Sequence, residues 1–330
     1  MRSIRLGFLA LGATLLVGLI VENDPGAILA SMSQLSWRLL IVLCFPMPLV
    51  ALFDTLGWRS AFPRHRVAFR TLLSVRLAGE AFNITTPTAA LGGEAVKAWL
   101  LRDRVPLDES LPSLIVAKTT ITIAQGVFLL LGVTLAHWTL PPDSLLLRGM
   151  QALLVVEVVA LTGFVLAQMR GVLGWGRRLL SGFGFGLPRF FEARGTLERV
   201  DDGLARFYRH ERGRFIASIL WHLVAWLLGS VETYLILRFI GVGVSLTTAT
   251  VIEAFGAAVR VATFLIPASL GALEGGFVAT FVALGLGPTA GVSFSLVRRV
   301  REATWAGVGL VAFAARARSQ ARGHRPASAH

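Results

Sequence analysis

Eight charged side chains lie in stretches that are otherwise apolar enough to sit in a bilayer: Glu80, Glu94, Lys97, Glu253, Arg260, Glu274, Arg298 and Glu302. A charge at the centre of hydrocarbon costs about 2.5 kcal/mol or more, so such residues face a bundle interior or a wet cavity. Backbone polar groups must also be satisfied internally at that depth, and helices do this within one segment. These constraints point to an all-α polytopic membrane protein that encloses a polar interior. Composition agrees: 55% of the 330 residues are hydrophobic and 15% are charged, against about 25% charged in a soluble domain.

A spanning helix needs about 20 mainly apolar residues. Runs of this kind at 5–21, 37–56, 111–136, 149–168, 215–237 and 289–315 predict six full spans. The first begins MRSIRLGFLALGATLLVGLI and is followed by VENDPG rather than a small-x-small cleavage site, so it is expected to stay as an uncleaved helix. Two further apolar regions, about 70–100 and 248–286, are interrupted. EAFNITTPTAALGGEAVKAW breaks around Pro87, Gly92 and Gly93, and RVATFLIPASLGALEGG breaks around Pro267, Gly271 and Gly275. Each half is short for a span, and broken backbone at membrane depth is tolerated only where it lines a cavity or is covered by protein. Both regions are expected to be broken-helix hairpins, re-entrant or made of paired short spans. Gly92-Gly93-Glu94 in the first and Glu274-Gly275-Gly276 in the second mirror one another, which suggests an inverted repeat.

Arginine placement sets the expected orientation. Arg2 and Arg5 open the chain, Arg59, Arg64, Arg66 and Arg70 follow the second run, and 169–214 holds ten arginines against five acidic residues. The 22–36 loop has no basic residue. Both termini are therefore expected in the cytoplasm. The expected layout is one membrane domain over 1–315, with halves at about 1–168 and 215–315, a cytoplasmic connection at 169–214 and a disordered tail at 316–330. Within the connection, Leu197, Val200, Leu204 and Phe207 share one helical face, as in an amphipathic surface helix or a linker helix.

The embedded residues carry the candidate chemistry. Glu94 and Lys97 are spaced i,i+3 and can pair, or Lys97 can join backbone N–H groups at a helix start to meet an anionic head group. Asn83 lies in a polar stretch with Glu80, Thr85, Thr86 and Thr88 and needs several partners if buried. Glu253 and Arg260 are two turns apart on one helix; Arg260 is expected to pair with Glu253, Glu274 or a partner elsewhere. In SLVRRVREATW, Arg298 and Glu302 are spaced i,i+4, while Arg299 and Arg301 complete a cluster near mid-span. Guanidinium forks suit phosphate and carboxylate.

Other classes are disfavoured. One cysteine excludes an internal disulfide, and six histidines form no pair with ligand spacing, so no metal and no cofactor is expected. The net charge of +13 lies between apolar runs and fits an anionic membrane surface better than nucleic acid. Neither G-x-S-x-G nor H-E-x-x-H occurs, and no enzymatic activity is expected.

Together, EAFNITTPTAALGGEAVKAWLLR and EAFGAAVRVATFLIPASLGALEGGFV resemble the flippase-like membrane family that includes the transmembrane region of lysylphosphatidylglycerol synthase. Within it, the chain is similar to the short members associated with hopanoid biosynthesis. The resemblance covers about 5–315 and falls on Asn83, Pro87, Gly92, Gly93, Lys97, Arg260, Pro267, Gly271, Glu274 and Gly275. It implies a bacterial inner-membrane protein that binds or translocates a lipid, either a hopanoid or an anionic phospholipid. No aminoacyl-transfer domain is expected. Membrane lipids and lipid-biosynthesis enzymes are the implied partners, and the oligomeric state is left open. A non-catalytic scaffold for lipid-biosynthesis enzymes and an intramembrane lipid-modifying transferase stand as alternatives.

Overall fold

The computed structural model describes residues 14–33, 35–85, 92–169, 196–263 and 266–323. Among them, twelve α-helices have both ends defined, residues 14–22 are also helical, and no strand occurs. The helices are α1 (Pro25–Ser33), α2 (Arg38–Cys44), α3 (Pro46–Ser60), α4 (Phe69–Thr85), α5 (Gly92–Leu101), α6 (Leu107–Thr139), α7 (Leu145–Met169), α8 (Thr196–His210), α9 (Arg212–Phe239), α10 (Leu246–Ala262), α11 (Ala272–Ala283) and α12 (Pro288–Gly323). Local chemistry explains several boundaries. Pro46 starts α3, where its missing N–H costs nothing. Asp108 and Glu109 occupy the first turn of α6 and favour its positive end. The Ser245 hydroxyl accepts the Thr248 N–H at 3.0 Å and caps α10.

Among the described residues, four segments are long and apolar enough to cross a membrane: Arg38–Ser60, which joins α2 and α3, Leu107–Thr139, Leu145–Gln168 and Arg212–Phe239. This corrects the expectation of six full spans plus two broken-helix hairpins. Of the first expected span, 5–21, residues 5–13 lie outside the described residues; 14–22 are helical, and Asp24 beyond them takes a positive φ of 51°. At the other end, α12 has 36 residues, but four charges between positions 298 and 302 interrupt its apolar character. The interrupted regions form shorter pieces of 17 and 10 residues (α4, α5) and 17 and 12 residues (α10, α11). The inverted repeat expected alongside the six spans falls with that count. The last helix also continues to Gly323, past the expected domain end at 315.

Helix α9 is central and packs on α3, α6 and α10, while α12 packs on α4 and α11. Arg316 bonds Ser74 and Gly309 meets Leu77, so α4 and α12 run antiparallel. One apolar cluster gathers Trp58, Leu72, Val75, Leu101 and Leu204, and a second gathers Ile236, Ile252, Phe277, Phe281 and Phe294. A third joins Phe128, Met150, Val251 and Ala254. Helix α8 places Val200, Leu204 and Phe207 in the core and sets Gly203 against Pro112 of α6. The amphipathic helix therefore docks on the bundle; the side chain of Leu197 lies outside the described residues. By contrast, α7 leaves Val155, Val156, Val159 and Phe164 exposed, as suits a lipid-facing helix.

Small residues allow the closest approaches between helices, as is common in membranes. A Cβ at Gly309 would run into the Leu77 carbonyl of α4, whereas one at Gly307 would meet nothing within 4 Å. Gly309→Ala is expected to cost about 1–3 kcal/mol, the range for overpacking a tight interface, and Gly307→Ala little. Thermal unfolding of the two purified variants checks this; equal midpoints would mean that α4 and α12 do not meet at Gly309.

Candidate functional site

The polar interior is built on α12. At 3.6 residues per turn, Arg301, Arg298, Glu302 and Arg299 fan in that order over about 160° of the helix, so the run reaches several neighbours at once. The Arg298 guanidinium forks onto Glu253 of α10, with Nη1 on Oε2 and Nη2 3.2 Å from Oε1. Thr233 of α9 donates to the same carboxylate at 2.7 Å. Arg301 reaches Glu232 of α9 at 2.5 Å. Arg299 reaches Glu274 of α11 at 2.5 Å and Glu302 at 2.9 Å. Arg260 of α10 donates to Glu302 at 2.9 Å, and Arg301 lies 3.7 Å from that carboxylate. Four arginines thus meet four glutamates, and the network is formally neutral.

One part of this network holds backbone. Glu274 accepts the Gly271 N–H at 2.7 Å, and Arg299 donates to the Ala268 carbonyl at 3.0 Å. Between these contacts, Ala268 and Ser269 adopt positive φ of 52° and 49°, and Gly271 adopts 78°. Only glycine takes that region without steric cost. The clamp from Glu274 and Arg299 offsets the strain in the turn opened by Pro267 (Pro267–Ser269 forms a short 3-10 helix). Gly275 lies within α11, where a Cβ would meet nothing within 4 Å.

A second network lies around α5. Lys97 pairs with Glu94 at 2.9 Å, as their spacing predicts, and sits 5.8 Å over the Trp58 ring. Asn83 accepts the Gly93 N–H at 2.9 Å and so caps the start of α5. The stem of Lys97 runs over Gly79, where a Cβ would lie 2.6 Å from Cε. Alongside, Asp54 of α3 binds Arg76 of α4 and, at 2.7 Å, Nδ1 of His222 on α9. His222 Nε2 packs on Gly57 without a hydrogen-bond partner.

Of the partners expected for Arg260, the structure supplies the one on another helix, Glu302, and Arg298 pairs with Glu253 rather than with Glu302 four residues on. Arg298 and Arg301 keep side-chain exposures of 9% and 8%, whereas Arg260 keeps 40% and is the accessible arginine of the cluster. Gly92 begins α5 and Glu80 is half-buried on α4. Pro87, Thr86 and Thr88 lie outside the described residues. Asp54, Arg76, Glu157, His222 and Glu232 escaped the sequence reading, although each lies inside an apolar run; the signal used for the other eight was present for them too.

Removing one partner of a buried ion pair leaves an uncompensated charge and costs about 3–5 kcal/mol. Arg298→Ala is therefore expected to lower the unfolding midpoint sharply. Arg298→Met combined with Glu253→Leu is expected to recover most of the loss, because the stranded carboxylate is then gone. A double variant no more stable than Arg298→Ala would refute a pairing role for these residues.

Comparison with known proteins fits this architecture. The family described as "Lysylphosphatidylglycerol synthase TM region" matches residues 4–310. A "UPF0104 membrane protein" from Methanothermobacter thermautotrophicus is 24% identical over 314 residues, covering 88% of this chain and 89% of the relative. No solved structure matches. With residues 4–310 matched, the chain belongs to the lysylphosphatidylglycerol synthase transmembrane-region family, a flippase-like family of multi-pass membrane proteins.

Proposed function

We propose that this protein binds a membrane lipid and moves its polar head across the bilayer, with a hopanoid or an anionic phospholipid as the lipid. The observation that carries the reading is the uneven sharing of Glu302. Arg299 and Arg301 each have a second carboxylate, Glu274 and Glu232, but among the described residues Arg260 has Glu302 alone and keeps 40% of its side chain exposed. A phosphate or carboxylate of a lipid head is the ligand such a guanidinium suits. The lipid tails stay in the hydrocarbon while the head passes along the polar interior, which avoids most of the cost of carrying charge through the bilayer. Family membership supports a lipid as the ligand class. The reading contains no catalytic step.

The second reading is a non-transporting scaffold for lipid-biosynthesis enzymes. It is favoured by the internal balance of the α12 network, where each deeply buried arginine already has a glutamate.

Orientation follows from a basic end of the bundle. Arg214 reaches the Phe62 carbonyl, Arg316 reaches Ser74 and the Arg70 carbonyl, and Arg104 reaches Thr71. The positive-inside rule assigns this end to the cytoplasm of a bacterial inner membrane, and both termini are read as lying on that side. In a Cys44→Ser background, Arg318→Cys is expected to react with an impermeant thiol reagent only from the cytoplasmic side. Labelling from the outer side would reverse the orientation.

Transport is tested in sealed proteoliposomes holding a hopanoid, an anionic phospholipid or a neutral phospholipid. Faster movement than in empty liposomes, lost in folded Arg260→Ala and partly kept in Arg260→Lys, is the expected result. Wild-type protein that moves none of the three lipids would leave the scaffold as the better account.

A further inference from the structure

Among the described residues, six acidic side chains are buried in the bundle: Asp54, Glu109, Glu157, Glu232, Glu253 and Glu274. Five have partners. Asp54 meets Arg76 and His222, Glu109 meets His65, and Glu232, Glu253 and Glu274 meet Arg301, Arg298 and Arg299. Glu157 is the exception among the described residues. It is 5% exposed, its Oε1 is buried without a hydrogen-bond partner, and no ion pair reaches it.

Its position makes this costly. Glu157 lies 12 residues from either end of α7 (Leu145–Met169), about 18 Å along the axis at 1.5 Å per residue, near the middle of a core about 30 Å thick. It faces α6 at Gly126, where a Cβ would lie 3.8 Å from Oε1. The absence of a side chain there leaves the carboxyl beside bare backbone. An ionised carboxylate without partners in such a place carries a desolvation cost of several kcal/mol.

No charged group on the packed elements compensates it. On α6, Lys118 and His137 are eight and eleven residues from Gly126, about 12 Å and 16 Å along the helix; Asp108 and Glu109 are farther still. Lys118 acts electrostatically on Glu94, and His137 is bonded to the Val133 carbonyl and Gln151. On α10, Glu253 is held by Arg298 and Arg260 by Glu302. Helix α8 meets α7 through Tyr208 and Gln168, eleven residues from Glu157. Its other ionisable residues, Glu198, Arg199, Asp201, Asp202, Arg206, Arg209 and His210, belong to a helix whose Gly203 packs on Pro112, fourteen residues from Gly126 on α6. Arg148 on α7 itself is nine residues away.

We propose that Glu157 is a proton-exchange site in the seam between α6 and α7. The carboxylate takes one proton from water and becomes the neutral acid when the seam closes; it returns the same proton to water when the seam opens, and no other bond changes. The site rests on geometry and on the pairing of every other buried carboxylate. Its use in driving lipid movement rests on the transport reading above.

The test treats full-length wild-type protein in liposomes with a hydrophobic carbodiimide, which adds to protonated carboxyls inside membranes, and maps the adduct by peptide mass. Glu157 is expected to be tagged, with the tag lost as the pH is raised, while Glu232, Glu253 and Glu274 stay untagged. Glu157 tagged no more than Glu253, or equally at every pH, would overturn the proposal. Because this arm uses the wild-type chain, it does not depend on how any variant folds. A second arm measures lipid movement under a pH gradient, where Glu157→Gln is expected to lose the response. A folded Glu157→Gln protein with the wild-type response would overturn the coupling. A wild-type protein that moves no lipid but is tagged at Glu157 would defeat the transport reading and leave the proton site standing.

Discussion

A guanidinium inside an apolar bundle has to find a carboxylate, and this requirement organises half of the molecule. Helix α12 carries three arginines and one glutamate within five positions. Its arginines meet one carboxylate each from α9, α10 and α11. Lateral placement and rotation of those helices are thereby tied to one another: turning any of them by a quarter strands a charge. Small residues reinforce the arrangement, since Gly256 of α10 lies against the Phe277 ring of α11, where a Cβ would come within 2.6 Å. Charge pairing and steric fit specify the same geometry, which is the consistency expected of a sequence with one native state.

The second polar network extends this logic through α9. His222 joins Asp54 and Arg76 on one side of the molecule, while Glu232, ten residues later, joins Arg301 on the other. About 15 Å of one helix therefore links two polar regions across an otherwise apolar interior. Thr120, Ser218 and the Gly57 carbonyl form a hydrogen-bonded chain beside His222, at 2.7 Å and 2.9 Å. Buried hydroxyls used in this way satisfy one another and keep neighbouring helices in register.

Much of the class was legible from composition and from charges within apolar runs, because hydrocarbon solvation is a strong and local constraint. The Glu94–Lys97 pair was legible for the same reason: i,i+3 spacing brings the two together on any helix. Pairings between helices were not legible. Arg298 and Glu253 are 45 positions apart, and nothing in one dimension distinguishes Glu253 from Glu302 as its partner. At α12, length and apolar flanks suggest a span, but the charges between them break the apolar run. Glu157 and Glu232 are each a lone acid in an otherwise convincing span, and a single acid is a weaker signal than a cluster. Gly309 shows the opposite difficulty: a glycine's value in a tight helix contact depends on which carbonyl faces it.

The arrangement around α12 has a consequence for biogenesis. Each arginine entering the bilayer on an isolated helix costs about 2.5 kcal/mol or more, so a helix with three of them clustered at 298–301 has little reason to leave the insertion channel alone. Its counter-charges, Glu232, Glu253 and Glu274, all precede it in the chain and emerge from the ribosome first. Synthesis order thus supplies the acidic acceptors before the basic segment needs them. Membrane integration of residues 288–323 becomes an act of assembly against protein already in place rather than of partitioning into lipid.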